Sequence, residues 1–209
     1  MKQPKFQRRS EDRPREICAA ALAVFAEKGF AAAKLDEIAR RAGVSKGTLY
    51  LYFKDKEDLF RAVVRDNVSP NIDSVRDAIL AADLPFAQLA PMFLARLSAV
   101  AGSMPLGAVI KMVIGESGNF PELARVWHDQ VVGKALAVLV ALIEKAQAKG
   151  EVRPGDPRLH AFSLMGPMLM GLIYREVLQP AGAAKLDIEV LARQHAETVL
   201  AGLLVEKAR

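Results

Sequence analysis

Apolar positions recur at helical spacing along nearly the whole chain. Ile17, Ala21, Val24 and Phe25 make one stripe, which Gly29 closes. Leu35, Ile38, Ala39 and Ala42 make a second. Gly43 ends that helix, because glycine takes the left-handed conformation of a helix stop at little cost. Ser45 is a good N-cap for a short third helix over 46–52, with Leu49 and Phe53 turned inward and Val44 filling the angle between the two helices. Asp55 caps a fourth helix, with Asp58 three residues on, and this helix is expected to end near Ser69–Pro70.

Beyond residue 71 the pattern is of punctuated apolar helices at about 73–81, 85–101 and 105–116, with Pro85 and Pro105 at two of the starts. A long helix over 121–149 follows, then one from Pro157 to about Leu178 that Pro167 should kink, and a last one over about 187–206. No stretch alternates with period two, so no strand is expected. The expected fold is all-α with about nine helices: an N-terminal helix-turn-helix head at 1–61, preceded by a basic arm at 1–10, and a C-terminal helical domain at 62–209.

The order apolar helix, Gly-Val-Ser, short polar helix is the layout of a helix-turn-helix, whose second helix enters the DNA major groove. Charge sharpens that reading. Residues 1–61 carry 14 Lys/Arg against 9 Asp/Glu, while the remaining 15 basic and 15 acidic residues cancel, so the net +5 lies wholly in the head. Phosphate neutralisation supplies most non-specific DNA affinity, and this is where it would act. The arm, with Lys2, Lys5, Arg8 and Arg9, suits either a phosphate backbone and minor groove or a solubilising role.

Composition bounds the alternatives. A single cysteine, Cys18, excludes an internal disulfide and is compatible with a reducing cytoplasm. The N-terminus has no apolar run of a secretory signal. The longest uncharged stretches, 97–110 and 161–174, are each 14 residues long, short of the roughly 20 a bilayer span needs, so no membrane helix is expected. His128, His160 and His195 lie far apart without carboxylate or thiol partners at ligand spacing, which gives no support for a metal, a cofactor or an enzyme.

With Gly29-Phe30 upstream, the run LDEIARRAGVSKGTLYLYFKDKEDLF resembles the tetracycline-repressor (TetR) family of bacterial transcription regulators over about residues 13–61. The resemblance implies a homodimer on a double-stranded palindromic operator and a C-terminal domain whose small-molecule effector lowers DNA affinity. It places Lys46 and Gly47 against base edges, Thr48 against a base or phosphate, and Tyr50, Tyr52 and Lys56 on phosphates, with Ser45 combining a cap and a phosphate bond. Lys34 stands where the family usually has a capping Thr or Ser; it cannot cap, and reaches a phosphate only as a cation.

For the effector, adaptable methionines and a few polar anchors single out Met92, Arg96, Met112, Glu116, Trp127, His128, Met165 and Met168, although a packed core accounts for most of the apolar ones. The small-residue run around Gly166 and the last helix give the expected dimer faces: Gly166, Met170, Ile173, Leu191, Val199 and Leu203. The favoured function is a cytoplasmic repressor released by an apolar or amphipathic effector. The alternative is a DNA-binding dimer without such an effector, controlled by a protein partner or by abundance.

Overall fold

In the computed structural model, the backbone is described for residues 5–82 and 84–205, and the side chains for these from residue 12 on, except residue 80. Eleven α-helical segments follow one another: α1 (Lys5–Ala32), α2 (Leu35–Arg41), α3 (Lys46–Tyr52), α4 (Lys56–Val63), α5 (Ser69–Ala81), α6 (Phe86–Ser103), α7 (Leu106–Glu116), α8 (Pro121–Trp127), α9 (Gly133–Ala148), α10 (Pro157–Ile173) and α11 (Ile188–Leu203). Single π-helical turns join α4 to α5, α8 to α9, and extend α10 to Leu178, so the described residues make nine continuous helices. The β pairing among them is one isolated bridge, Val152 with Leu204.

The stops and starts follow the local chemistry. Gly29 (φ 78), Gly43 (φ 67) and Gly150 (φ 71) break their helices in the left-handed region. Asp55, Asp156 and Asp187 cap α4, α10 and α11 through their carboxylates. Two boundaries differ from the expected ones. α1 begins at Lys5, so residues 5–10 of the basic arm are helical, as Lys, Gln and Arg favour; Lys2 lies outside the described residues. The fourth helix does not end at Ser69–Pro70. In the π-helical turn over Val64–Val68 the Ser69 amide bonds the Val64 carbonyl, so the ladder already skips a step where Pro70 has no N–H to give.

The chain forms two compact units, one of residues 1–70 with 112–131 and one of 71–111 with 132–209. In the first, Phe25, Phe30, Phe60 and Phe120 cluster with ring centroids 5.0 to 6.0 Å apart, and Ile17, Ile38, Leu49 and Leu59 are fully buried around them. Leu49 and Phe53 are buried as expected. In the second, α6, α9, α10 and α11 pack on one another over Leu94, Leu139, Ile143, Leu164 and Met168.

Two continuous helices, Pro121–Ala148 and Pro157–Leu178, are long and apolar enough to cross a membrane by length and composition, contrary to the expectation drawn from uncharged stretches alone. A helix tolerates a charge or two within such a window, which a count of strictly uncharged residues misses. Part of their apolar surface has a use inside the fold: Leu123, Val126, Leu139, Leu142, Ile143, Leu164 and Met168 are all buried.

Candidate nucleic-acid interface

The exposed side of the first unit is built on α2 and α3. Arg41 at the end of α2 forks onto both carboxylate oxygens of Glu27 on α1 at 2.7 Å and reaches Glu37 at 3.0 Å, while Lys28 holds Glu37 at 2.7 Å. These partners, the Arg41 bond to Glu27 and the Lys28 bond to Glu37 foremost, hold both carboxyls below their ordinary range. Gly43 then turns the chain, and the Val44 amide bonds the Ala39 carbonyl at 2.9 Å, which sets the angle into α3.

Ser45 caps α3: its Oγ accepts the Thr48 amide at 3.0 Å and lies 2.8 Å from the Thr48 hydroxyl. Lys46, the first helical residue, is exposed and pairs with Asp36 at 2.8 Å; that bond raises the ammonium's pKa. Gly47 has open space above it, since an added Cβ would meet nothing nearer than Ser45 Oγ at 3.8 Å. Tyr50 is 48% and Tyr52 36% exposed. Ser45, Lys46, Gly47, Thr48, Tyr50 and Tyr52 therefore share one short helix with its cap. Lys34 is exposed at the start of α2 and makes no side-chain cap there, as its chemistry requires.

Lys56 departs from its expected place. Lys56 is turned onto the backbone: its ammonium donates to the carbonyls of Phe30 at 2.6 Å and of Ala31 and Ala33 at 3.1 Å. A three-donor ammonium so placed has its hydrogen bonds committed within the fold instead of facing outward to a phosphate. Leu51, by contrast, was not singled out, yet it is 83% exposed between the two tyrosines. An exposed apolar side chain on a short, otherwise polar helix face offers a contact to an apolar group of a partner. Its position in the helix carried the signal: Leu49 and Phe53 point inward, which leaves residue 51 on the far side.

Residues 17–63 match the model of "Bacterial regulatory proteins, tetR family", and residues 90–187 match that of the "Tetracyclin repressor-like, C-terminal domain". A crystal structure of a TetR-family transcriptional regulator from Mesorhizobium loti is 31% identical, with a TM-score of 0.76 over 94% of this chain and 99% of that one. The chain belongs to the TetR family. It is thus a member of a family of DNA-binding transcriptional regulators. Among the relatives, the fatty acid metabolism regulator protein of Bacillus subtilis is 29% identical over 152 residues, 72% of this chain and 77% of that protein. The transcriptional regulator FadR from Bacillus subtilis in complex with stearoyl-CoA shares the fold at 23% identity, with a TM-score of 0.76 over 90% of this chain and 98% of that one.

The eight effector candidates are divided between the two units. Met112, Glu116, Trp127 and His128 belong to the first unit, and Met92, Arg96, Met165 and Met168 to the second. Met112, Trp127 and Met168 are buried core, whereas Met92 and Arg96 are exposed. Glu116 is committed to two backbone amides at 2.8 and 2.5 Å. His128 bonds its neighbour Asp129 at 2.8 Å. In the second unit a cleft of about 190 Å³ is lined by Ala95, Ser98, Glu189, Ala192 and Arg193, small beside the roughly 300–1,000 Å³ of drug-sized ligand sites. Among the described residues no group of His, Cys, Asp and Glu could hold a metal ion.

Of the dimer candidates, Gly166 and Met170 are exposed on α10, and Ile173, Leu191 and Val199 are half-buried. Leu203 is buried within its own subunit, and its carbonyl takes the Arg153 amide, so it serves the monomer fold. Sequence reasoning missed that Leu159, Phe162, Leu169 and Val177 are exposed too. With Gly166, Met170 and Ile173 they recur every three or four residues along one side of α10. Because α10 is apolar nearly all round, the sequence pattern alone does not say which side faces out.

Proposed function

We propose that the protein is a homodimeric repressor that binds a palindromic operator in cytoplasmic chromosomal DNA through α3 and is released by an amphipathic fatty-acid derivative. Lys46 reads guanine O6/N7, Gly47 lets the helix backbone approach the bases, and Thr48 and Leu51 complete the base contacts. Tyr50, Tyr52 and Ser45 hold phosphates, and Lys34 adds a cationic one. The observation that carries this reading is Gly47. Glycine costs a helix up to about 1 kcal/mol relative to alanine, and the fold leaves room for a methyl group there. The reason for glycine therefore lies outside the fold, in a surface that comes close.

The exposed apolar side of α10 supports a second copy of the chain as partner, which would set two heads about one helical turn apart on DNA. Lys46 exchanges Asp36 for a base at small cost, because an exposed ion pair contributes little. The relationship to the Bacillus subtilis fatty acid metabolism regulator supports the effector class. The domain division that goes with this reading is a DNA-binding head at 1–61 and an effector and dimerisation domain at 62–209, with no membrane partner.

Fluorescence anisotropy on DNA flanking the gene tests the proposal, with stearoyl-CoA and free stearate as probes. Selective binding that Lys46→Ala weakens roughly ten- to a hundredfold, more on the selected site than on random DNA, is the expected result. Equal loss on both would leave Lys46 a phosphate contact only. Selective binding that neither probe relieves would favour the effector-free reading.

A further inference from the structure

One turn of the first unit is gripped from both sides by side chains whose chemistry suggested other roles. Gly29 breaks α1 with φ 78 and ψ 174, and the chain makes one more helical turn to Ala32 before α2 begins. The break leaves the amides that follow without carbonyls of their own helix. Glu116, the last residue of α7, supplies the acceptors: Oε1 takes the Phe30 amide at 2.8 Å and Oε2 the Ala31 amide at 2.5 Å. On the other side Lys56, the first residue of α4, takes the carbonyls of Phe30, Ala31 and Ala33 and lies 4.6 Å from the centre of the Phe30 ring. Burial pushes its pKa down. An added Cβ at Gly29 would overlap Glu116 Oε1 and push that carboxylate aside.

We propose that Glu116 and Lys56 are paired positioning residues that clamp the turn at 29–33 and so fix the start of α2, from which α3 is presented to DNA. The need for such a clamp is visible in the sequence. Lys34 provides no side-chain cap for α2, and its carbonyl takes the Glu37 and Ile38 amides, both at 3.1 Å. With the Ala33 carbonyl held by Lys56 and the two amides before it held by a carboxylate, residue 34 is anchored from outside its own helix. Hydrogen bonds to charged groups are roughly twice as strong as neutral ones, which suits a joint made of so few. The proposal rests on the DNA-binding reading above.

Amide hydrogen exchange and operator binding across a salt series test it together on the full chain. In Glu116→Ala, exchange at Phe30 and Ala31 should quicken at least tenfold while the Leu49 amide of α3 stays protected. Operator affinity should fall several-fold with the slope of log K against log salt unchanged, because no phosphate contact is lost. Glu116→Gln, which keeps one acceptor, should lie between and carries the test if the alanine variant does not fold. Lys56→Met should likewise weaken binding without changing the slope. A slope shallower by about 0.9 in that variant would make Lys56 a phosphate contact and overturn the pairing. Wild-type exchange rates at Phe30 and Ala31, or wild-type operator affinity, in the Glu116 variants would overturn it as well. A wild-type protein that binds no operator would refute the DNA reading itself, and the exchange rates would still decide whether the clamp exists.

Discussion

Gly47→Ala should make the protein more stable and a weaker DNA binder at once. Gly47 is the second residue of α3, its φ lies outside the left-handed region, and a methyl group there would sit 3.8 Å from Ser45 Oγ, an ordinary van der Waals distance. Nothing in the fold opposes the substitution, and alanine reduces the conformational freedom of the unfolded chain. The gain is about 0.5–1 kcal/mol, taken at the lower end because the position is in the first helical turn. For a chain of 209 residues that is a rise in Tm of about 1–4 °C. On the DNA side the same methyl enters a packed contact, where overpacking costs about 1–3 kcal/mol, or roughly five- to a hundredfold in affinity. Urea unfolding and anisotropy on the selected operator measure the two effects on one preparation. A stability loss would show that the fold needs the glycine. Unchanged operator affinity would show that no partner approaches it. Either result refutes the reasoning.

Phe60→Ala removes a ring that is 1% exposed and meets Phe25 and Phe30 edge-on at 6.0 Å, and should cost about 3–5 kcal/mol in urea unfolding followed by the emission of the single tryptophan, Trp127. Met170→Glu places a charge on the exposed apolar side of α10. Sedimentation should then find monomers, with unfolding of the single subunit changed by no more than about 0.5 kcal/mol. Burial pushes the Cys18 thiol up to about 12 from 9.0, so the unfolded chain loses this proton first as pH rises. Stability should therefore be unaffected below pH 8 and fall as pH climbs from 9 toward 12, a slope that Cys18→Ala abolishes in urea titrations.

Much of this molecule was legible in its sequence because the cues are local. Apolar spacing and the left-handed stop at Gly43 placed α2, and the caps Ser45 and Asp156 placed the starts of α3 and α10 almost to the residue. What escaped depends on distant partners. Nothing near Lys56 in sequence says that its ammonium meets carbonyls 23 to 26 residues away, and nothing near Glu116 points to amides 85 and 86 residues away. The same holds for Phe120, whose ring closes the aromatic cluster of the head from the far side of the chain. Pro70 misled for another reason. Proline ends helices by rule, but a π-helical turn just before it removes the conflict.

The central claim is that α3 reads a specific DNA sequence. Selection of genomic fragments by the full-length protein, with the enriched sites sequenced, tests it most directly. The expected result is a palindrome with half-sites about one helical turn apart, lost from the selection by Lys46→Ala. Fragments enriched without a shared sequence, or the same palindrome recovered by Lys46→Ala, would contradict it.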